Sequence, residues 1–148
     1  MRKEFVMRGK TASGATEVLN FGKYKQGTAY RLTEFQIYPS LNIPAEDTEA
    51  TATITAGKTA VDPQDPDFLN EGLIATTMMH RNDVHTDPIT TLTVINDTFL
   101  ITQNLILMMS NVGGSNAAMN WQCKFESVKM TNSEEAANNY KQFMISDE

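Results

Sequence analysis

The 148-residue sequence lacks most of the features that mark enzymes, secreted proteins and membrane proteins. Its single cysteine, Cys123, excludes a disulfide within the chain, as is usual for proteins that fold in a reducing cytoplasm. The longest apolar run, Leu105–Met109, is far too short to cross a bilayer. Charged residues interrupt the first ten positions, so we expect no cleaved secretion signal there and no membrane as a partner.

Motifs that carry catalysis are missing too. The sequence has no G-x-S-x-G nucleophile turn, and GKTASG at Gly9 is not a phosphate-binding loop, because Glu4 stands where that motif needs its first glycine. Cys123 alternates in phase with Trp121, which predicts an inert thiol in the core rather than a nucleophile. We therefore expect no catalytic, cofactor-binding or metal-binding residues, no cofactor, and no enzymatic activity.

Two loops contain residue types that bind metals, without a recognised ligand spacing. The loop from His80 to Asp87 has two histidines and two aspartates, but no third zinc ligand is evident. The loop with Asp62, Asp65 and Asp67 lacks the glycine and the spaced glutamate of the known calcium loop. Its two prolines favour a rigid surface turn, and the sequence leaves calcium binding there open.

The most apolar stretch, from Ile89 to Ser110, predicts two strands at the centre of a β-sheet. The strands are expected to join at Asn96-Asp97. Both are apolar on both faces, as strands covered on two sides usually are. The first is rich in threonine, valine and isoleucine, which favour a strand over a helix.

Six further segments predict strands, and one predicts a short C-terminal helix capped by Asn132. The six segments are Lys3–Arg8, Thr16–Phe21, Thr28–Tyr38, Glu49–Ala56, Gly72–His80 and Ala118–Met130. Consecutive strands without intervening helices exclude a βαβ arrangement. The sequence thus predicts one all-β domain over residues 1–148, an eight-stranded antiparallel β-sandwich of jelly-roll type with a short C-terminal helix.

The alternation within two of these strands makes finer predictions. In the last strand Met119, Trp121, Cys123 and Phe125 share a phase and are expected in the core. The phase changes near Ser127, and it also changes within the segment from residue 28 to residue 38. One extra residue exchanges the two faces of a strand, so each change predicts a β-bulge.

Charge is unevenly distributed along the chain, whose net charge is −6. Residues 1–31 hold seven basic and two acidic groups, a net of +5, which leaves −11 for the rest. A basic end on an acidic body is consistent with nucleic acid or an acidic neighbour on one side. Ordinary surface charge explains it as well, because the basic residues are scattered among predicted strands. Lys23-Tyr24-Lys25 is likewise consistent with single-stranded nucleic acid or with an exposed hairpin turn.

Four segments together resemble small single jelly-roll capsid and accessory capsid proteins of bacterial viruses. They are LTEFQIYPS, DPQDPDFLNEGLI, VINDTFLITQNLILM and the final FESVKM. The resemblance implies a structural virion protein, made in the host cytoplasm without disulfides. Many such proteins carry a long, strongly basic N-terminal arm, and this chain has only a short basic segment. Direct nucleic-acid contact is therefore doubtful, and a vertex, minor capsid or decorating role fits the acidic body.

A subunit of this kind would assemble through its loops and ends. We expect a homo-oligomer, a trimer or a pentamer, whose partners are copies of itself and other capsid proteins. The predicted interface residues are Phe5, Arg8, Lys10, Tyr140 and Phe143. Two other functions stay open: a carbohydrate- or cell-surface-binding β-sandwich, and a cupin-like metalloenzyme. The second lacks the closely spaced histidines of the cupin metal site.

Overall fold

The computed structural model describes residues 3–22, 26–40, 47–57, 59–81, 89–113 and 117–146. Within these ranges the chain forms eight strands and one helix, so the predicted all-β sandwich with a C-terminal helix is confirmed. The elements are β1 (Glu4–Thr11), β2 (Thr16–Leu19), β3 (Thr28–Pro39), β4 (Thr48–Ala56), β5 (Leu73–Arg81), β6 (Thr90–Ile95), β7 (Leu105–Asn111), β8 (Met119–Lys129) and α1 (Asn132–Ser146).

The strands form two antiparallel sheets. The smaller sheet has the order β1-β8-β3, and the larger has the order β2-β7-β4-β5-β6. In a jelly roll the first strand pairs with the last, the second with the second-last, and so on inward along the chain. Three such pairs are present here: β1–β8, β2–β7 and β4–β5. The four strands in the order β7-β4-β5-β6 form a Greek key. The fourth pair of a jelly roll, β3 with β6, is absent among the described strands, because β6 pairs with β5 instead. The larger sheet therefore extends beyond the smaller one.

One cluster of buried apolar side chains lies between the sheets. β7 and β8 supply much of it, with the phases that the sequence predicts: Leu105, Leu107, Met109, Met119, Trp121, Cys123 and Phe125. Full burial of a large apolar side chain contributes about 1.5–3 kcal/mol to stability. These two strands therefore carry a large share of the packing energy.

The prediction that both strands between Ile89 and Ser110 are central is wrong for the first of them. β7 lies between β2 and β4, but β6 is the outermost strand of its sheet, and it is exposed from Thr90 to Val94. The turn after β6 leads into an extended segment rather than into β7, and Ile101 of that segment pairs with Tyr30 of β3. The uncharged sequence correctly predicts a strand here, but it does not show whether other strands lie beside it or cover its faces.

The bulge predicted in β3 is confirmed, and the one predicted in β8 is wrong. The register between β3 and β8 shifts between Leu32 and Glu34, which leaves Thr33 outside the ladder. β8 shows no register shift near Ser127. The apparent change of phase comes from two apolar residues: Val128 is only partly buried, and Met130 lies beyond the end of the strand at Lys129.

β4 is buried on both faces along most of its length, although its alternation predicts a half-buried strand. The loop that follows β4 lies across its outer face. Thr53 Oγ1 donates a hydrogen bond to Val61 O at 2.7 Å, and Thr55 Oγ1 accepts one from Val61 N at 3.2 Å. The buried hydroxyl groups of Thr53 and Thr55 thus both have hydrogen-bond partners, as burial favours.

α1 begins with a capping box one residue earlier than predicted. Thr131 Oγ1 accepts a hydrogen bond from Glu134 N, and Glu134 Oε1 accepts one from Thr131 N, both at 3.2 Å. Two backbone N–H groups that the first helical turn leaves unpaired are satisfied in this way. The cap is therefore Thr131, with Glu134 as its partner, rather than Asn132 with Glu135.

Candidate assembly surface

The described strands leave four sheet edges, and three of them carry features that hinder pairing with another strand. β1 contains Glu4, Arg8 and Lys10, β2 has only four residues and includes Glu17, and β3 ends with Pro39. Charged side chains, prolines and short length are the usual means by which proteins protect sheet edges. Pairing with another chain is disfavoured at these three edges.

β6 has none of these protective features. Its sequence, TTLTVI, contains neither a charged residue nor a proline. On its outer face Leu92 is 60% exposed and Val94 is 44% exposed, and Ile89 just before the strand is also exposed. An exposed, uncharged and apolar edge strand favours association with another strand. Of the four described sheet edges, this one is the least protected against pairing with another strand.

The backbone of β6 presents free donors and acceptors along its outer edge. Asn96 N donates a hydrogen bond to Ile74 O at 2.7 Å, so the even-numbered residues face β5. Residues alternate in this respect in an antiparallel pair. The N–H and C=O groups of Thr91, Thr93 and Ile95 therefore point away from β5, and no described strand pairs with them.

Between β3 and β6 the sandwich is open, and a groove of about 940 Å³ lies there. Ile37, Met79 and Trp121 contribute apolar surface to it. Thr93 Oγ1 lies 2.7 Å from the Thr77 hydroxyl and donates to Phe35 O at 3.4 Å, so this side chain contacts both sheets. The open side results directly from the missing β3–β6 pair.

Phe5 is partly buried against the core of its own chain, and its role in contacts between chains stays a prediction. The β1–β8 register places Phe5 opposite Phe125, and the two rings stack with their centroids 5.4 Å apart. Phe21 and Tyr30 contact Phe5 edge-on, at centroid distances of 6.1 and 5.4 Å. These aromatic contacts contribute to the packing of Phe5 within its own chain.

The other predicted interface residues lie in different places. Arg8 and Lys10 are exposed on β1, where Arg8 Nε donates to Gln122 Oε1 at 2.6 Å. Tyr140 is 67% exposed on α1. The side chain of Phe143 lies outside the described residues. An interface role for Arg8, Lys10 and Tyr140 stays a prediction.

α1 packs onto its own sandwich, and a role of the C-terminal segment in contacts between chains stays a prediction. Ile145 is buried in the core cluster. Gly57 and Gly72 make room for it, since a Cβ atom at these positions would lie 3.3 and 3.2 Å from Ile145 Cγ2. Lys141 Nζ lies 4.9 Å from the centre of the Phe99 ring, a further contact within the chain.

The described residues form no cluster that could hold a metal ion. No group of three or more His, Cys, Asp or Glu is placed to hold a metal ion within the described ranges. Asp62 and Asp67 accept hydrogen bonds from the backbone N–H groups of Gln64 and Leu69 at 2.9 Å, which fits the interpretation as a rigid turn. The histidine- and aspartate-containing residues 82–88 and the basic residues 23–25 lie outside the described ranges.

The thiol of Cys123 is buried in the core, as expected. Burial raises the pKa of the Cys123 thiol far above its ordinary value, because a charged thiolate is poorly solvated there. The group therefore stays protonated and unreactive. None of the described helices is long and apolar enough to cross a membrane.

Comparisons with known proteins do not place the chain in a family. No protein-family model matches it. No curated protein matches it. One solved structure that it is similar to, from Bacillus, is described as "Bacillus endospore appendages form a novel family of disulfide-linked pili". That match covers 88% of each chain at 9% identity with a TM-score of 0.39, and so weak a likeness carries no argument about function.

Leu92 and Val94 are not among the residues that the sequence predicts as an interface. An uncharged strand is consistent with the centre of a sheet as well as with an adhesive edge, so the pattern alone does not separate the two. One difference could have distinguished them. β7 places leucine and methionine at its inward positions, whereas β6 places Thr91 and Thr93 there. Small polar side chains on the inward face are typical of a strand at the edge of the sheet, outside the apolar core.

Proposed function

We propose that the chain is a structural subunit of a virion, a capsid or capsid-associated protein in a vertex, minor or decorating position. The observation that carries the proposal is the combination of a jelly-roll body with one sheet edge, β6, that is exposed, apolar and unprotected. A shell subunit needs a rigid body that presents the same adhesive patches in every copy. It does not need a cluster of titrating groups.

Rigid loops support the same proposal. The loop after β4 is held by Asx turns at Asp62 and Asp67, and Pro63 within it is buried. Its exposed tip, Phe68-Leu69, is presented by a turn in which Asn70 N donates to Asp67 O at 3.1 Å. Loops that are already ordered lose little conformational entropy when a neighbour docks.

In this proposal the partners are copies of the chain and other capsid proteins. The chain would be made in the host cytoplasm, form a trimer or a pentamer, and reside in the virion. Direct contact with nucleic acid is not part of it. Arg31 Nη1 lies 3.2 Å from Glu126 Oε1, and Lys124 Nζ lies 3.4 Å from Glu4 Oε2, so opposite charges are interspersed on the outer face of the smaller sheet.

A carbohydrate- or cell-surface-binding function is the second candidate, and the groove between β3 and β6 is the observation that favours it. Gln36, Gln122 and Arg8 contribute polar groups to its lining. However, Trp121 does not offer its ring as a stacking platform, because the indole lies against Gly9. Binding to a glycan panel, with Gln36→Ala as the groove variant, separates this function from assembly.

Electron microscopy of the purified chain tests the proposed function. We expect uniform rings or closed shells at high protein concentration, because identical adhesive patches on a rigid subunit produce closed symmetric particles. A field of single small particles at every concentration, combined with specific binding to one glycan, would favour the second candidate.

A further inference from the structure

We infer that β6 pairs antiparallel with β6 of a second copy, about a twofold axis that passes through Thr93. The two five-stranded sheets would then join into one continuous ten-stranded sheet. The inference rests on the proposed function, since it names the partner and the contact for one step of assembly. In a shell it supplies a twofold contact between subunits of neighbouring trimers or pentamers.

The free backbone groups of β6 match themselves in this register. Thr91, Thr93 and Ile95 point their N–H and C=O groups outward from β5. With the axis at Thr93, residue 91 lies opposite residue 95 of the second copy, and residue 93 lies opposite its own equivalent. Residues opposite each other at such positions exchange both backbone hydrogen bonds. Every outward donor and acceptor of the strand thereby gains a partner.

The exposed apolar side chains match in the same register. Leu92 lies opposite Val94 of the second copy, and the twofold axis repeats this pair. Both side chains are on the outer face, where Leu92 is 60% and Val94 is 44% exposed in the single chain. They occupy the positions without backbone hydrogen bonds, where facing side chains approach most closely. Apolar pairs of this kind stabilise a sheet.

Charge favours a second copy at this edge over any other described edge. Two copies with a net charge of −6 each repel one another overall. β6 contains no charged residue, and the first one after it, Asp97, would lie opposite the uncharged Ile89 of the second copy. Like charges thus do not face each other along the joined strands. Edge pairing through β1 would instead bring charged side chains such as Arg8 and Lys10 to the contact.

Disulfide trapping tests the register. Leu92→Cys and Val94→Cys are prepared as separate single variants, mixed in equal amounts and oxidised mildly. Facing residues at these positions have Cα atoms about 4.5 Å apart, within the range for a disulfide. We expect cross-linked dimer mainly in the mixture. The unaltered chain is the control for Cys123, which is buried and should form no cross-link.

A second pair of variants tests the contact without cross-linking. Leu92→Glu places a charge on the edge and should abolish the dimer at concentrations where the unaltered chain forms it. Val18→Glu introduces the same charge at an exposed apolar residue of β2, which is not a predicted interface residue, and should leave the dimer unchanged. Both variants should melt at nearly the same temperature as the unaltered chain when monomeric, which shows that a lost dimer is not a lost fold.

The outcomes separate the register from the proposed function. Efficient cross-linking of Leu92→Cys with itself would move the axis to residue 92 and overturn the inference as stated. An oligomer that forms normally with Leu92→Glu, or no cross-link in any sample, would overturn the β6 contact while leaving a structural function intact. A chain that stays monomeric under all conditions would overturn both.

Discussion

Gly9 and Trp121 lie opposite each other in the β1–β8 pair, and the indole ring of Trp121 fills the space that a side chain at position 9 would need. A Cβ atom at Gly9 would lie 2.5 Å from Trp121 Cζ2. The indole Nε1 donates a hydrogen bond to Thr11 Oγ1 at 2.9 Å, which fixes the ring in this position. Position 9 is glycine because another group approaches the backbone closely.

Replacement of Gly9 by valine should destabilise the fold by about 1–3 kcal/mol, the usual effect of overpacking. The added side chain would push the indole away from Thr11. Ala12→Val, at an exposed position just after β1, is the matched control and should change stability little. Urea denaturation followed by circular dichroism measures both. Equal midpoints for the two variants would mean that the indole is not held against β1.

Truncation of Trp121 to alanine should destabilise the protein by about 3–5 kcal/mol, because it leaves a large cavity in the core. Trp121→Phe keeps an aromatic ring but removes the hydrogen-bond donor to Thr11. Its loss of stability should therefore be smaller, with about 1 kcal/mol of it due to the hydrogen bond. The same denaturation measurement ranks them. A denaturation midpoint that barely moves in Trp121→Ala would contradict the core position of this residue.

The cap of α1 can be tested without touching the core. Thr131→Ala removes the side-chain acceptor of the capping box and should destabilise the helix by about 1 kcal/mol. Ser133→Ala, two residues later at an exposed position, is the control and should be nearly neutral. Amide exchange of the first helical turn reads out the effect. Faster exchange in the control than in Thr131→Ala would show that the helix starts elsewhere.

Ile145 and Tyr140 should respond differently to truncation, because only the first packs in the core. Ile145→Ala should cost about 2–5 kcal/mol of stability, as for other buried aliphatic residues. Tyr140→Ala, at a side chain that is 67% exposed, should stay within about 0.5 kcal/mol. Thermal melting measures the loss of stability in each of the two variants. A large loss in Tyr140→Ala would mean that α1 presents a different face to the sandwich.

The features that the sequence predicts correctly are those set by the alternation of a single strand. The period of two places Trp121 and Phe125 in the core and reveals the bulge at Thr33, because each follows from neighbouring residues alone. The sequence also predicts the sandwich and its helix. The predicted capping box is one residue away from the observed one, because Thr131 and Asn132 are both residue types that cap helices well.

The features that the sequence misses depend on contacts between distant segments. Glu126 is buried because Arg31 lies beside it on the neighbouring strand, and Thr53 is buried because a later loop covers β4. The exposure of β6 likewise follows from its pairing with β5 instead of β3. No local pattern reports these pairings, so the candidate assembly edge emerges only from the fold.

The mass of the unaltered chain in solution tests the central claim, self-assembly of a structural subunit, most directly. Light scattering coupled to size exclusion should give a discrete mass that is a whole multiple of the 16.5 kDa chain and that falls when Leu92 is replaced by glutamate. A mass of 16.5 kDa at every concentration, with or without that substitution, would contradict the claim.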